Sequence, residues 1–191
     1  MNTKNLLLLA LIGVTLSACK KDKEEDAPAP TPVNEEELIT TVLLTFTDSE
    51  NASNIFVLRW EDLDGDGGNA PVITGDTLPN NRAFNLAVRV LNESVVPVDE
   101  ITDEVAAEGE EHQFFFESLA TTLVVTYNDT DAGGAPIGLS NVATTGALGV
   151  GSLKVTLRHE PNKGAAGVAN GDITNAGGET DIEVTFPVVV E

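Results

Sequence analysis

Cysteine is nearly absent from these 191 residues: there is one, Cys19, so no internal disulfide and no cysteine-based zinc knuckle can form. Basic residues are scarce, 10 Lys and Arg against 31 Asp and Glu, for a formal charge of -21. Phosphates would be repelled, which argues against nucleic acid as a partner. No apolar run reaches the roughly 18–20 residues that a membrane-spanning helix needs. Aromatic residues make up 5% and there are two histidines, His112 and His159, so any imidazole chemistry is confined to those positions. The pattern GxSxG, HExxH and the P-loop are all missing, which leaves no motif-level support for an enzyme. What is present is a 41% hydrophobic content, too high for a wholly disordered chain despite the charge. The length suits one domain with a tail.

The amino end reads as an address. Lys4 is followed by an apolar stretch from Leu6 to Leu16, of signal-peptide length. Leu16, Ser17, Ala18 and Cys19 then resemble the lipobox of bacterial lipoproteins. That resemblance implies cleavage after residue 18, acylation of Cys19 and attachment to a membrane through lipid. Several acyl chains, at about 0.8 kcal/mol per buried CH₂, make such an anchor effectively permanent. Lys20 at the second mature position, rather than Asp, points by the same resemblance to the outer membrane, and the charged run Lys21–Asp26 resembles the export signals of surface-displayed lipoproteins. Lys20, Lys21 and Lys23 balance Asp22, Glu24 and Glu25, so the negative charge belongs to the domain beyond the tether. Alternating prolines in the stretch DAPAPTPVNEE favour an extended spacer. The expected organisation is therefore a signal at 1–18, a lipidated tether at 19–36 and one domain at 37–191.

Beyond residue 37 the apolar period is two. Seven segments carry it, around Val42–Phe46, Phe56–Trp60, Phe84–Val90, His112–Glu117, Leu123–Tyr127, Leu153–Leu157 and Ile182–Val190. The prediction is an all-β, immunoglobulin-like antiparallel β-sandwich of about seven strands, with Trp60 and Tyr127 as anchors and a short helix within Asp99–Glu108, where Ile101 and Val105 stand four apart. "Immunoglobulin-like" denotes architecture, since the cysteine pair of antibody domains is missing. If seven strands alternate in direction, the connections Asn92–Glu111 and Asn128–Gly151 lie at the end away from the start of the domain.

Three groups of residues could bind something. Asp62, Asp64 and Asp66, in the run DLDGDGG, could converge on Ca²⁺ with help from Asp76, although an EF-hand is excluded because its twelfth position is Ile73. An Asp/Gly turn explains the same run; Asn128–Gly134 is a weaker copy. Glu110, Glu111 and His112 open one strand, and His159 and Glu160 close another, each a candidate transition-metal ligand set. In a seven-strand alternation those two strands run the same way and put the histidines at opposite ends, so a shared site requires a miscounted strand. Seven acids from Asp99 to Glu111, uninterrupted by Lys or Arg, form either a solvated loop or a distal patch that captures cations or docks a basic partner surface. Consecutive Phe114, Phe115 and Phe116 put a ring on each face of their strand, so either the preceding loop buries it on both sides, which is the expectation, or an apolar patch is exposed for a partner.

The stretches WEDLDGDGGN (60–69), EHQFFF (111–116), PIGL (136–139), GSLKVTLRHEP (151–161) and GDITNAGGETDIEVTF (171–186) resemble a family of small Gram-negative outer-membrane lipoproteins with one β-rich domain, which carries the label "type 1 periplasmic-binding fold superfamily". The label implies two α/β lobes, whereas the length and the strand periodicity of this chain imply one all-β body. The resemblance brings no functional residues. The functional expectation is a non-catalytic binding or accessory lipoprotein that captures a solute or cation beside an outer-membrane transporter, the alternative being a structural or adhesive surface module without a small ligand.

Overall fold

The computed structural model describes residues 38–65 and 68–191. The signal, Cys19, the tether and Glu37 lie outside the described residues, as does Asp66. Two compact units divide the chain, Met1–Glu35 and Glu36–Glu191, and the described residues belong to the second.

Among the described residues there are nine strands: β1 (Thr41–Asp48), β2 (Ile55–Glu61), β3 (Val72–Gly75), β4 (Ala83–Leu91), β5 (His112–Leu119), β6 (Val124–Tyr127), β7 (Ser140–Thr144), β8 (Gly149–His159) and β9 (Glu179–Val190). One helix, α1 (Ile101–Ala107), lies between β4 and β5. The strands form two antiparallel sheets, in the orders β3-β2-β1-β4-β7-β6 and β5-β8-β9. The architecture is an all-β sandwich, with nine strands where seven were expected. The additions are β3 and β7. Both are short: β3 is exposed along its whole length, and the buried face of β7 is only Asn141 and Ala143, a polar and a small residue that leave no apolar alternation in the sequence.

Register follows from burial. Val42, Leu44 and Phe46 stand opposite Trp60, Leu58 and Phe56 on one side and Val90, Val88 and Leu86 on the other, so the apolar halves of three strands share one face. That face meets Phe114, Leu153, Val155, Leu157, Val184, Phe186 and Val188 of the smaller sheet in a single core. A one-residue slip in any of these strands would turn its whole apolar set to solvent. Helix α1 buries Ile101 and Val105 in the same core, as their spacing predicts. Its Thr102 Oγ accepts from the Val90 amide at 2.9 Å and donates to the Val90 carbonyl at 3.1 Å, closing the part of β4 that β7 does not reach.

The smaller sheet is covered on its other face too. Phe115 is buried there against Val168 and Ala176, with Ala165 and Ile173 packed alongside. The expectation of burial on both faces of β5 holds, but the cover is the β8–β9 connection rather than the loop before the strand. Gln113, on the same face, donates to Tyr127 Oη at 3.1 Å and to the Val168 carbonyl at 2.9 Å. Tyr127 in turn donates to the Phe114 carbonyl at 2.6 Å. Burial pushes the phenol up to about 12.

The two extra strands redirect the loops. Inserting β3 reverses β4, β5 and β6 relative to a seven-strand alternation, and inserting β7 restores the sense of β8 and β9. The β4–β5 connection with its acids and the 128–139 part of the β6–β7 connection therefore lie at the same end as Leu38, together with the β2–β3 and β8–β9 connections. The opposite end holds short turns and the bridge from Leu78 to Val190.

Candidate functional site

The shared end brings the two histidines together. β5 and β8 are antiparallel, and His112 stands directly opposite His159 in their register. His159 Nδ1 lies 3.1 Å from His112 Nε2, and the rings meet edge-on with centroids 4.6 Å apart. The expectation that they sit at opposite ends is thus overturned, and β7 is the strand whose omission caused it. Both rings are buried, His112 fully and His159 to within 6%. His112 Nδ1 is 3.3 Å from the Glu108 carbonyl. A carbonyl only accepts, so Nδ1 carries the hydrogen and Nε2 presents its lone pair. Burial holds His112 below the usual imidazole range and the neighbouring His159 adds to this, outweighing the Glu108 carbonyl and nearby carboxylates, so the ring is neutral at pH 7.

A third member went unnoticed in the sequence. The Asp181 carboxylate reaches within 3.8 Å of His112 Nε2, and its side chain is 5% exposed. Strict alternation along β9 places Asp181 on the face away from Ile182 and Val184. The pairing shifts there: Leu157 faces Ile182 and Arg158 faces Thr180, leaving Asp181 as the extra residue of a bulge. Bulges re-aim side chains. The signal available beforehand was only an acid flanked by Thr180 and Ile182 in a strand otherwise alternating cleanly.

Ligand-capable atoms of His112, His159 and Asp181 all lie within 4.8 Å of one another, and those of Glu111, His159 and Glu160 do so as well. Four of the five residues suggested as metal ligands are therefore gathered on one corner. Glu110 is the exception, turning toward Gly133 of the β6–β7 connection. Asp181 also lines a cavity of about 560 Å³ between the starts of β1 and β9 and the end of β2, walled by Leu38, Thr40, Trp60, Asp62 and Glu183 among others. The cavity gives the buried corner a carboxylate-lined approach.

The aspartate run behaves differently. Asp62 accepts from the Gly65 amide at 3.0 Å, and Asp64 accepts from the Asn69 amide at 3.0 Å and its side chain at 2.7 Å. The Asn69 bonds hold the Asp64 carboxyl below its usual range. Asp76 accepts from the Val57 amide at 2.8 Å, four residues up β2 from Glu61, and so extends the β2–β3 ladder instead of joining Asp62 and Asp64. That corrects its place in a Ca²⁺ set: the Asx-turn reading describes the carboxylates whose positions are known. The weaker copy is similarly committed. Asp129 accepts from the Gly138 and Ser140 amides, at 2.8 and 2.7 Å, and Asp131 from the Ala135 amide at 2.9 Å. Asp131 also pairs at 2.8 Å with Lys163, whose ammonium donates to the Gly109 and Pro136 carbonyls as well.

Charges on the acidic connection are only partly compensated. Arg89 pairs with Glu100, and Arg59 with Glu61 and Glu93. Asp103, Glu104, Glu108, Glu110 and Glu111 remain on the connection that leads to His112, all of them exposed. The same potential that repels phosphate raises the local concentration of cations here.

Compared with known proteins, the chain matches no family model, no curated protein and no solved structure at a significant level.

Proposed function

We propose that this chain is a lipid-anchored lipoprotein of the outer membrane whose sandwich acts as a non-catalytic binding or accessory module, capturing cations beside a transport protein. The observation that carries the reading is the gathering of four connections at one end of the sandwich, with both histidines, the acidic run and a carboxylate-walled cavity among them. Rigid strands with binding residues on clustered loops are the usual division of labour in such folds. The anchor rests on Leu16–Cys19 alone. A structural or adhesive module is the second reading, favoured by the use of Asp64, Asp76, Asp129 and Asp131 in holding backbone turns.

The test is metabolic labelling of the full chain with radioactive palmitate in a Gram-negative host, followed by membrane fractionation. Label in the native chain, lost in Cys19→Ser together with membrane association, supports the anchor. A native chain that takes up no label defeats it.

A further inference from the structure

We propose that His112, His159 and Asp181 form a site for one divalent transition-metal ion of the Zn²⁺ class, bound through His112 Nε2, His159 Nδ1 and the Asp181 carboxylate. It deepens the capture reading above by naming the ligand and the atoms that take it.

Geometry is the first support. Metal–nitrogen bonds to imidazole are about 2.0–2.1 Å. Two ring nitrogens 3.1 Å apart can both reach an ion at that length, with an angle at the metal of roughly 100°. That lies between octahedral and tetrahedral values. The Asp181 oxygen, 3.8 Å from His112 Nε2, falls within the span of a third ligand at a wider angle. Three protein ligands of this composition leave a position for water, and the adjoining cavity supplies the room.

The surroundings of the ligands are the second support. A ligating histidine characteristically donates its other N–H to a carbonyl or carboxylate, which fixes the tautomer. His112 does this with Glu108 before any ion arrives. In the unliganded pair the hydrogen between the two rings sits on His159 Nδ1, because His112 Nε2 presents a lone pair. On binding, that hydrogen moves to His159 Nε2, which frees Nδ1 for the ion. The carboxylates of Glu111 and Glu160 cluster with His159, ligand-capable atoms of the three lying within 4.8 Å of one another.

Third, two unrelated departures from regular structure converge on this point. Asp181 is delivered by the only register shift in the smaller sheet, and Glu160, next to His159, adopts a positive φ of 48°. Such features persist where the surrounding structure over-determines them.

Zn²⁺ alone, as the chloride, is titrated into the purified full chain at pH 7.5 against a chromophoric chelator. One ion per chain with submicromolar affinity is expected, unaffected by millimolar Ca²⁺. Because the chain has two histidines, long-range ¹⁵N spectra of the imidazoles report on both without any mutation. Both rings should shift together at one equivalent. Asp181→Asn, which preserves shape, should weaken binding at least tenfold, and His159→Gln should abolish it, with Trp60 fluorescence verifying that each variant folds. The site is overturned by a native chain that takes up no stoichiometric Zn²⁺, by Ca²⁺ competing equally, by a shift of one ring only, or by a folded Asp181→Asn that binds as tightly as the native protein. Palmitate labelling without Zn²⁺ uptake removes this site and leaves the anchored-module reading; Zn²⁺ uptake without labelling does the reverse.

Discussion

Lys163 offers the sharpest energetic test of how the loop end is held. Its side chain is 8% exposed and that of its partner Asp131 3%, so the pair is removed from water. The ammonium sits among the Asp131 carboxylate at 2.8 Å, the Pro136 carbonyl at 3.0 Å and the Gly109 carbonyl, tying the β8–β9, β6–β7 and β4–β5 connections at one point. Replacing it by methionine keeps the stem but leaves a buried carboxylate without its cation. Breaking a buried pair from one side costs about 3–5 kcal/mol. At roughly 2–4 °C per kcal/mol for a domain of this size, Lys163→Met should lower Tm by about 6–20 °C. Urea unfolding followed through Trp60, the only tryptophan, measures the loss.

The pH dependence gives the sign. Desolvation pushes the Asp131 carboxyl upward, but the Lys163 bond, the Ala135 amide and the lysine charge prevail, and the group is held below its ordinary value. Its stabilising contribution is therefore fully present above the unfolded pKa of about 4 and is lost as pH falls through the lower folded value. In Lys163→Met the desolvation is unopposed by the lysine, the carboxyl rises, and the charged form destabilises at neutral pH. The gap between native and variant should be widest near pH 7 and narrow toward pH 4. Adding Asp131→Asn should recover part of the loss at pH 7. A cost below about 1 kcal/mol, or a gap that does not change with pH, would refute the account.

Two other outcomes are expected. Tyr127 is the only tyrosine, so its ultraviolet titration is unambiguous: ionisation should centre near pH 12, and a midpoint near 10 would show the phenol to be solvated. Phe115→Ala should destabilise by about 3–5 kcal/mol and speed amide exchange chiefly over residues 161–178, whose Val168 and Ala176 lean on that ring; uniform exchange across both sheets would contradict the assignment of this segment as the cover.

Much of the sandwich could be read from residue order because burial enforces alternation. Val42–Phe46, Phe84–Val90 and Val184–Val190 each present one buried face, and each lies in a strand. The reading failed where burial did not act. VITG in β3 is exposed at every position, and β7 contributes only Ala143 and Asn141 to the interior. Those two omissions cost more than two strands. Each reverses the direction of everything up to the next, so alternation alone puts the acidic connection at the wrong end and separates His112 from His159. The histidines and their neighbouring acids stand out in the sequence; their meeting does not, because it depends on strand parity. Asp181 is hidden for another reason: a bulge breaks the period on which inference from alternation rests.

That bulge has a consequence for how the corner and its scaffold depend on one another. Arg158 pairs with Thr180 and Leu157 with Ile182, so the ladder on either side is in step once the intervening residue is ignored. Excising Asp181 would join Thr180 to Ile182 and let β9 run beside β8 without interruption, with Val184, Phe186 and Val188 keeping their places. The acid is the one residue of β9 that the sheet can do without, and the corner could be gained or lost in a lineage by a single codon.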